Sequence, residues 1–260
     1  MIRVVLLGAA GRMGHAILEA AHATPGLEIK ACVDRAENLK DRGGVWRATL
    51  AECVERGDVV IEFSSPAACR EAADRCAERG AALVSGTTGL GEEEEAAVRA
   101  AGAKVAVVRA ANFSLGVAIL RRALAAALGA MPRGWDVEMV ERHHRNKVDS
   151  PSGTALMLAA DVAARRGFPP GSVRSGRTGQ TGVRAAAEIG VSSVRGGGWV
   201  GDHEVLLAGE CEWLELRHVV SERRAFAHGA IAAARFAAAA SPGLHSMDEV
   251  AGAVAGFGDG

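Results

Sequence analysis

The chain has no tyrosine, and its aromatic residues make up only 4% of 260 positions. Proteins that bind single-stranded nucleic acids stack the bases on aromatic side chains, so this scarcity argues against such a surface. The formal net charge is −1, which leaves no overall basic field to attract a nucleic acid. We therefore expect no nucleic-acid partner, and any positive cluster must act locally.

Long apolar runs are also missing, since none approaches the roughly 18 residues of a membrane span. The N-terminal segment has the pattern of a strand and lacks the long apolar region and cleavage site of a signal peptide. The five cysteines are scattered without a CxxC pair, which favours reduced thiols over disulfides. These absences predict a cytoplasmic protein with no membrane partner, and no metal site is predicted.

Short apolar runs alternate with helical stretches through the first 110 residues. Strands are predicted at 2–7, 27–33, 58–63, 81–85 and 104–108. Helices are predicted at 12–23, 66–80 and 91–102. This alternation is typical of a parallel sheet with right-handed crossovers.

The pattern changes after residue 113. A predicted helix over about 114–130 leads to a strand over 135–143 and to a helix that begins near Ser152. Three consecutive strands are predicted at 187–194, 200–208 and 212–220, a polar loop at 177–184, and a final helix at 223–240. Consecutive strands indicate an antiparallel or mixed sheet, and therefore a second domain.

The segment GAAGRMG follows the first strand and supplies Gly8, Gly11 and Gly14. Glycines at such a place allow a tight turn, close backbone approach to a pyrophosphate and close packing of helix on sheet. The spacing is GxxGxxG and not the usual GxGxxG, so the motif alone is weak. Asp34, at the end of the second strand, can accept hydrogen bonds from adenosine ribose hydroxyls. The alternative is three turn glycines and an N-cap aspartate, but the combination favours a dinucleotide site.

Arg35 directly follows Asp34, and its guanidinium can pair with the 2′-phosphate of NADPH, with Arg12 helping from the glycine loop. Asp34 suits NADH, so the sequence predicts that NADH and NADPH are both used.

Two further loops, VSGTTGLGEEE (84–94) and EFSSPAA (62–68), follow predicted strands. Ligands of open α/β sheets bind beyond the carboxyl ends of the strands. In VSGTTG, Gly86, Thr87 and Thr88 can offer backbone and hydroxyl groups to the nicotinamide half of a cofactor. Helix capping by Ser64, Ser65 or Thr88 is the alternative. The complete set of predicted cofactor contacts is Gly8, Gly11, Arg12, Met13, Gly14, Asp34, Arg35, Phe63, Gly86, Thr87, Thr88, Ala110, Asn112 and Phe113.

The segment ERHHRNKVDSPSGTA, residues 141–155, joins a cationic cluster to a predicted helix start. The first backbone N–H groups of that helix and its dipole favour an anion. Lys147 adds a positive charge, and His144 and Arg145 add hydrogen-bond donors, so the pocket suits one or two carboxylates. His143 ends a strand beside a second ionisable group, as a general acid requires.

Each part of this segment also has a purely structural interpretation. Arg145 and Asn146 can face solvent, one of the two histidines can be a packed residue, and Lys147 with Asp149 can form a surface turn. The cluster joined to an anion-binding helix start nevertheless favours a functional site.

The motifs GAAGRMG, VDR, GTTG, AANFSLGV and, above all, ERHHRNKVDSPSGTA resemble the dihydrodipicolinate reductase family. The resemblance runs from the first strand to SERRAFAHGA, residues 221–230. The His-His-Arg-x-Lys-x-Asp-x-Pro-Ser-Gly-Thr string is highly specific to that family, whereas the glycine motif is not. The resemblance implies reduction of a cyclic dicarboxylate imine, 4-hydroxy-tetrahydrodipicolinate, by NADH or NADPH in the diaminopimelate route to lysine.

The resemblance also implies roles for individual residues. His143 is the acid, and Lys147 assists it and faces the substrate. The carboxylates of the substrate are held by His144, Ser152, Gly153, Thr154 and Arg223. Departures from the family pattern occur at Ala118 and in GDHEV, residues 201–205, outside the cationic cluster.

The implied fold class is α/β, with a Rossmann-type doubly wound parallel sheet and a second α+β domain containing a mixed or antiparallel sheet. Residues 1–113 are predicted to bind the dinucleotide. Residues 114–223 are predicted to bind substrate and to form a homotetramer, and the C-terminal helices in 224–260 return to the first domain. Closure of the two domains would then exclude water and align hydride donor with acceptor.

Two other functions remain open at this point. A dehydrogenase of hydroxy acids or semialdehydes would share the cofactor site, but it would not explain His143, His144, Lys147 and the Ser-Gly-Thr turn together. A non-enzymatic nucleotide sensor would need the glycine loop and Asp34, but neither an acid nor an anion pocket.

Overall fold

The computed structural model describes residues 1–39 and 42–256. The chain divides into two compact units: Met1–Leu115 with Arg223–Gly260, and Gly116–Glu222. The last four residues of the predicted C-terminal segment, 257–260, lie outside the described residues.

The first unit is built on a seven-stranded sheet in which every neighbouring pair of strands is parallel. Its strands are β1 (Ile2–Leu7), β2 (Leu27–Val33), β3 (Trp46–Arg47), β4 (Val59–Glu62), β5 (Ala82–Ser85), β6 (Ala106–Arg109) and β12 (Gly243–His245). Its helices are α1 (Arg12–His22), α2 (Pro66–Arg79), α3 (Glu92–Gly102), α6 (Arg224–Ala239) and α7 (Met247–Gly256).

Helices cover both faces of this sheet. On one face, buried residues of α2 and α3 form a core with apolar side chains of β1, β2, β4, β5 and β6. On the other face, α6 contacts β1, β4, β5 and β6 and packs against α1. The strands lie in the order β3-β2-β1-β4-β5-β6-β12. From β1 the chain first adds strands on one side of the sheet and then, beginning with β4, on the other side. Doubly wound folds bind ligands in the crevice at this switch point between β1 and β4. The predicted Rossmann-type sheet is confirmed.

The second unit contains a five-stranded sheet in the order β11-β10-β7-β9-β8. Its elements are α4 (Leu115–Ala130), which begins in the first unit, β7 (Asp136–His143), α5 (Gly153–Arg166), β8 (Val173–Ser175), β9 (Ile189–Arg195), β10 (Gly201–Ala208) and β11 (Trp213–Val220). β10 pairs antiparallel with β7 and β11, whereas β9 pairs parallel with β7 and β8. The predicted mixed sheet is confirmed.

Buried and half-buried side chains alternate along β7, so successive residues point to opposite faces of this sheet. Val137 and Met139 face a core formed with α4 and α5, as a half-buried strand requires. The same period of two puts Glu141 and His143 on the core side at the carboxyl end of the strand. The candidate acid is therefore held by a central strand of the sheet.

The opposite face of the sheet is rich in ion pairs. Arg177 and Arg184 are the first and last residues of the predicted loop 177–184, and both bind Glu138 of β7. The loop contains no helix or strand, but its two ends are fastened to the sheet.

Three short strands, β3, β8 and β12, have no counterpart in the sequence-based prediction. All five cysteines are unpaired, and four of them are buried. Each helix within residues 1–39 and 42–256 is too short or too polar to cross a lipid bilayer.

Candidate active site

The glycine loop between β1 and α1 has little room for side chains. Gly8 has φ = 81°, and a Cβ there would lie 2.8 Å from the carbonyl oxygen of Phe63. A Cβ on Gly14 would lie 2.4 Å from the carbonyl oxygen of Gly8. The loop therefore requires glycine at both positions, and its backbone is open to a pyrophosphate.

A cavity of ≈ 650 Å³ lies beside this loop, lined by residues that include Gly8, Gly11, Asp34, Arg35 and Phe63. Its volume is in the range of small-molecule sites. It lies at the crevice between β1 and β4, so the residues present fit a dinucleotide.

The Asp34 carboxylate accepts hydrogen bonds from Ala10 N at 2.8 Å, Arg35 N at 2.9 Å and Asn38 Nδ2 at 2.6 Å. Burial alone would raise the pKa of Asp34, but these hydrogen bonds outweigh it and hold the pKa below its usual value. An ionised carboxylate has about four acceptor sites, so about one remains for a ribose hydroxyl. Asp34 therefore braces the glycine loop and can still accept from a ligand.

The two arginines predicted to read a 2′-phosphate are both exposed. The Arg35 side chain is 77% exposed, and its Nη1 lies 3.0 Å from Glu37 Oε1. Arg12 is the first residue of α1. Arg35 is thus mobile enough to turn toward a phosphate, provided that it leaves Glu37.

Glu62, a buried carboxylate that was not predicted from the sequence, joins the loops after β4 and β5. Glu62 is fully buried and accepts from Ser64 N and Ser85 Oγ, each at 2.9 Å, from Ser64 Oγ at 2.8 Å, and from Thr87 Oγ1. Thr87 Oγ1 also accepts from Ser64 N. Thr87, predicted to contact the cofactor, therefore uses its hydroxyl to fix the two loops.

Two other members of the predicted cofactor set, Phe113 and Gly86, lie against Phe63. Phe63 and Phe113 meet edge to face with ring centroids 5.0 Å apart. A Cβ on Gly86 would lie 2.1 Å from the Phe63 ring, so glycine allows this contact. Asn112 Oδ1 accepts from Ser114 N at 2.8 Å. Met13 and Ala110 are half-buried, and Thr88 is exposed.

In the second unit, His143 belongs to a buried ionic cluster. His143 Nδ1 lies 2.5 Å from Glu141 Oε2. Arg195, at the end of β9, donates to both Glu141 oxygens at 2.7 Å. The Glu141 residue is 1% exposed and His143 is 8% exposed. The candidate acid is thus bonded to a carboxylate that an arginine grips with two hydrogen bonds.

The pKa values of this cluster follow from the same contacts. Burial alone would raise the pKa of Glu141, but hydrogen bonds led by those from Arg195 lower it to about 2. Burial lowers the pKa of His143 below its usual value, although Glu141 acts against that shift. Glu141 is therefore ionised at neutral pH, and burial favours the neutral form of His143.

Ser152, the N-cap of α5, is bonded on three sides. Its N–H donates to Glu141 Oε1 at 3.1 Å, and its Oγ accepts from Ala155 N at 3.2 Å. Its Oγ also lies 3.0 Å from Nε2 of His203, which belongs to β10. Since Ser152 is only 2% exposed, it holds the start of α5 more readily than it contacts a ligand.

The remaining predicted substrate residues are more open. Gly153 is exposed, and a Cβ there would meet no atom within 4 Å. His144 is half-buried, and its Nδ1 has no hydrogen-bond partner among the described residues. Lys147 Nζ pairs with Asp149 Oδ1 at 2.7 Å, and Thr154 is half-buried. Arg223 is exposed at the N-cap of α6, in the first unit.

Three members of the cluster, Glu141, Arg195 and His203, were not predicted from the sequence. Glu141 could have been found, because residues two apart on a strand share a face, and His143 was already a candidate. Arg195 and His203 come from other strands, and strand register is not readable from their local sequence.

Comparisons with known proteins agree on one family. Residues 2–113 match the family model described as Dihydrodipicolinate reductase, N-terminus, and residues 116–251 match Dihydrodipicolinate reductase, C-terminus. A 4-hydroxy-tetrahydrodipicolinate reductase from Thermomicrobium roseum is 43% identical, over 96% of this chain and 99% of the relative. One from Sinorhizobium medicae is 40% identical, over 96% of this chain and 97% of the relative.

Solved structures are similar in fold. A dipicolinate-bound dihydrodipicolinate reductase from Paenisporosarcina sp. TG-14 has a TM-score of 0.78 at 24% identity, covering 95% of this chain and 97% of that one. An amine dehydrogenase from Mycobacterium smegmatis has a TM-score of 0.59 at 15% identity, covering 95% of each chain. At these identities the likeness establishes only the fold, whereas the matches of both halves of the sequence are specific. The chain belongs to the dihydrodipicolinate reductase family.

Proposed function

We propose that this protein reduces 4-hydroxy-tetrahydrodipicolinate to tetrahydrodipicolinate with NADH or NADPH, in the diaminopimelate route to lysine. The observation that carries the proposal is the match of both halves of the chain to one reductase family. A hydride and a proton are added to the substrate, and its 4-hydroxyl leaves as water. The protein is accordingly an NAD(P)H-dependent oxidoreductase.

The cofactor belongs to the first unit, so residues 1–113 act as the dinucleotide-binding domain and the helices of 224–260 complete it. The glycine loop would hold the pyrophosphate, and Asp34 would accept from the adenosine ribose, with support from the cavity of ≈ 650 Å³. Phe63, Gly86 and Phe113 would contact the nicotinamide half. When bound, NADH or NADPH supplies the hydride.

The substrate carries two carboxylates, so it needs compensating charge and donors in residues 114–223. Gly153 and Thr154 offer the first amides of α5, where the helix dipole attracts an anion. The unpartnered His144 Nδ1 and the Lys147 ammonium add donors nearby. Arg223 is proposed to bind the second carboxylate. Ser152 has a different proposed role, because it caps α5 and so fixes the backbone that offers these amides.

His143 is proposed as the proton donor. Its Nδ1 is occupied by Glu141, so its Nε2 is the atom that can give a proton to the substrate. Protonating the substrate as hydride arrives prevents negative charge from accumulating, which lowers the barrier. Lys147 assists by stabilising negative charge on the same substrate.

We also propose that the protein is a cytoplasmic homotetramer that associates through the sheet of the second unit. The unpaired cysteines support a reducing compartment. The face of the sheet that lies away from α4 and α5 carries Trp213, 66% exposed, and Val219, 55% exposed. Exposed apolar residues on one face indicate an interface. A tetrameric mass in light scattering that Trp213→Lys reduces would support this assembly, and a wild-type monomer would contradict it.

The activity test uses substrate formed from pyruvate and aspartate semialdehyde by a dihydrodipicolinate synthase. Oxidation of NADH and NADPH is followed by the loss of the near-ultraviolet absorbance of the reduced nicotinamide. Turnover that depends on the synthase and falls in His143→Gln supports the proposal. Tight binding of NADH without turnover would instead favour the nucleotide sensor, and turnover of hydroxy acids would favour another dehydrogenase.

A further inference from the structure

We infer that Glu141, gripped by Arg195, is a positioning residue that keeps the Nδ1 proton on His143 and leaves Nε2 to face the substrate. The same carboxylate ties His143 to the start of α5. The inference rests on the proposed role of His143 as proton donor. It goes further because it assigns a function to Glu141 and Arg195, which are not among the proposed catalytic or substrate-binding residues.

The hydrogen bonds of Glu141 determine the tautomer of His143. Oε2 receives His143 Nδ1 at 2.5 Å and Arg195 Nη1 at 2.7 Å. Oε1 receives Arg195 Nη2 at 2.7 Å and Ser152 N at 3.1 Å. An ionised carboxylate only accepts hydrogen bonds, so the proton of a neutral His143 must reside on Nδ1. Nε2 is then the single ring nitrogen that can exchange a proton with a ligand.

The arrangement also joins two parts of the proposed site. Ser152 is the N-cap of α5, and the helix start beside it is the proposed carboxylate site. Arg195 Nη2 further donates to the carbonyl oxygen of Asp149, in the loop that carries Lys147. One Glu–Arg pair therefore holds the acid, the helix start and the lysine loop in register.

Ion pairing alone is a weak reason to bury this carboxylate. Glu141 is 1% exposed, and removing a charge from water is costly even when it is paired. Hydrophobic residues of similar volume often replace such pairs without loss of stability. Orientation of an acid is a role that hydrophobic residues could not take over.

The charged and titratable groups around His143 predict opposite effects for the two partners. Glu141, on the same strand, raises the pKa of His143. Burial lowers that pKa, as do the charges of Lys147 and of Arg195 on β9. His203 of β10 meets the His143 ring edge to face, with centroids 5.1 Å apart. Removing Glu141 should therefore lower the pKa of His143, and removing Arg195 should raise it.

The test is a pH titration of protein labelled with ¹⁵N-histidine, without substrate, with the His143 signals assigned from the spectrum of His143→Gln. In the wild type, we expect neutral His143 to carry its proton on Nδ1. In Glu141→Gln, the titration midpoint should move to lower pH and Nε2-protonated ring should appear. In Arg195→Met, the midpoint should move to higher pH.

Kinetics provide the second readout. The kcat of Glu141→Gln should fall by about 10- to 150-fold, the value of one charge-assisted hydrogen bond, with a smaller change in KM. The alkaline limb of the kcat profile, where activity falls as His143 loses its proton, should move to lower pH with the NMR midpoint. Asp161→Asn is the matched control, because Asp161 of α5 is also gripped by an arginine, Arg121, through two hydrogen bonds. It should change neither the titration nor kcat.

An unchanged His143 titration in Glu141→Gln, or midpoints that move in the same direction in both variants, would overturn the inference. If Glu141→Gln does not fold, the direction of the shift in Arg195→Met decides. Failure of the proposed function is a separate outcome, since it would appear as a wild type that does not turn over the substrate while the titration still reports on Glu141.

Discussion

Ser152 Oγ and His203 Nε2 lie 3.0 Å apart, so a buried histidine of β10 is bonded to the residue that caps α5. His203 is 4% exposed, and burial, with the nearby His143 charge second, lowers its pKa to about 4. Its Nδ1 has no partner among the described residues. The folded structure therefore favours the neutral form of His203.

His203 should make stability depend on pH. Its pKa is lower in the folded than in the unfolded state, so its contribution is present above about pH 6.5 and is lost as pH falls toward 4. We expect a loss of up to about 3 kcal/mol across that window. Urea unfolding at pH 7.0 and at pH 4.5 measures this loss in the free energy of unfolding. The loss should shrink in His203→Gln and persist in the control His22→Gln; an equal loss in all three proteins would exclude His203.

His143→Gln should reduce kcat by about 100-fold or more while leaving the fold intact, because glutamine cannot donate a proton at neutral pH. His144→Gln is the adjacent comparison and should mainly raise the substrate KM. Steady-state kinetics with circular dichroism spectra check both. Near-normal turnover in His143→Gln would remove the acid assignment.

Gly153→Ala should separate ligand binding from folding. A Cβ at Gly153 meets no atom within 4 Å, and alanine suits a helix better than glycine, so stability should be equal or higher. A bound carboxylate would nevertheless meet the new methyl group. Calorimetry with pyridine-2,6-dicarboxylate should therefore give at least about a tenfold weaker Kd, a loss of about 1.4 kcal/mol.

Gly129→Ala is the control for that experiment, because Gly129 is also in a helix with no atom near its Cβ position. It should leave the Kd unchanged. Wild-type affinity in Gly153→Ala would show that no carboxylate approaches this helix start.

Cofactor choice should depend on Arg35. Arg35→Ala should weaken NADPH binding by about 10- to 100-fold and barely affect NADH, because only NADPH carries the 2′-phosphate. Glu37→Gln should have the opposite sign, since it frees Arg35 from an exposed ion pair at 3.0 Å, and should tighten NADPH by no more than about fivefold. Equal losses for both cofactors in Arg35→Ala would contradict this role.

Much of the fold follows from local sequence. The Val- and Ile-rich runs of β1 and β4 and the alternating residues of β7 are strong patterns, and the structure has strands there. β12 could not be predicted, because three residues carry no period. It exists because Gly243–His245 reaches the free edge of β6, which is a tertiary relationship.

The residues of the candidate site also divide into those that local sequence reveals and those that depend on tertiary pairing. His143, Lys147 and Gly153 are close in sequence, so one segment revealed them. The partners that orient them are distant: Arg195 comes from β9 and His203 from β10, and their placement depends on the pairing of both strands with β7. Ser152 was predicted as part of the helix start that offers backbone amides, but only the strand register reveals that His203 bonds its hydroxyl.

The insertion of Gly116–Glu222 into the first unit has a consequence for biosynthesis. The sheet of the first unit is covered on one face by α6, which follows the insertion, and Gly229 of α6 packs so closely that a Cβ would lie 1.6 Å from the Phe113 carbonyl oxygen. At about 5–20 residues per second, a ribosome needs roughly 5 to 20 seconds to synthesise the insertion. During that interval the nascent sheet exposes an apolar face, and chaperones have their opportunity to protect it.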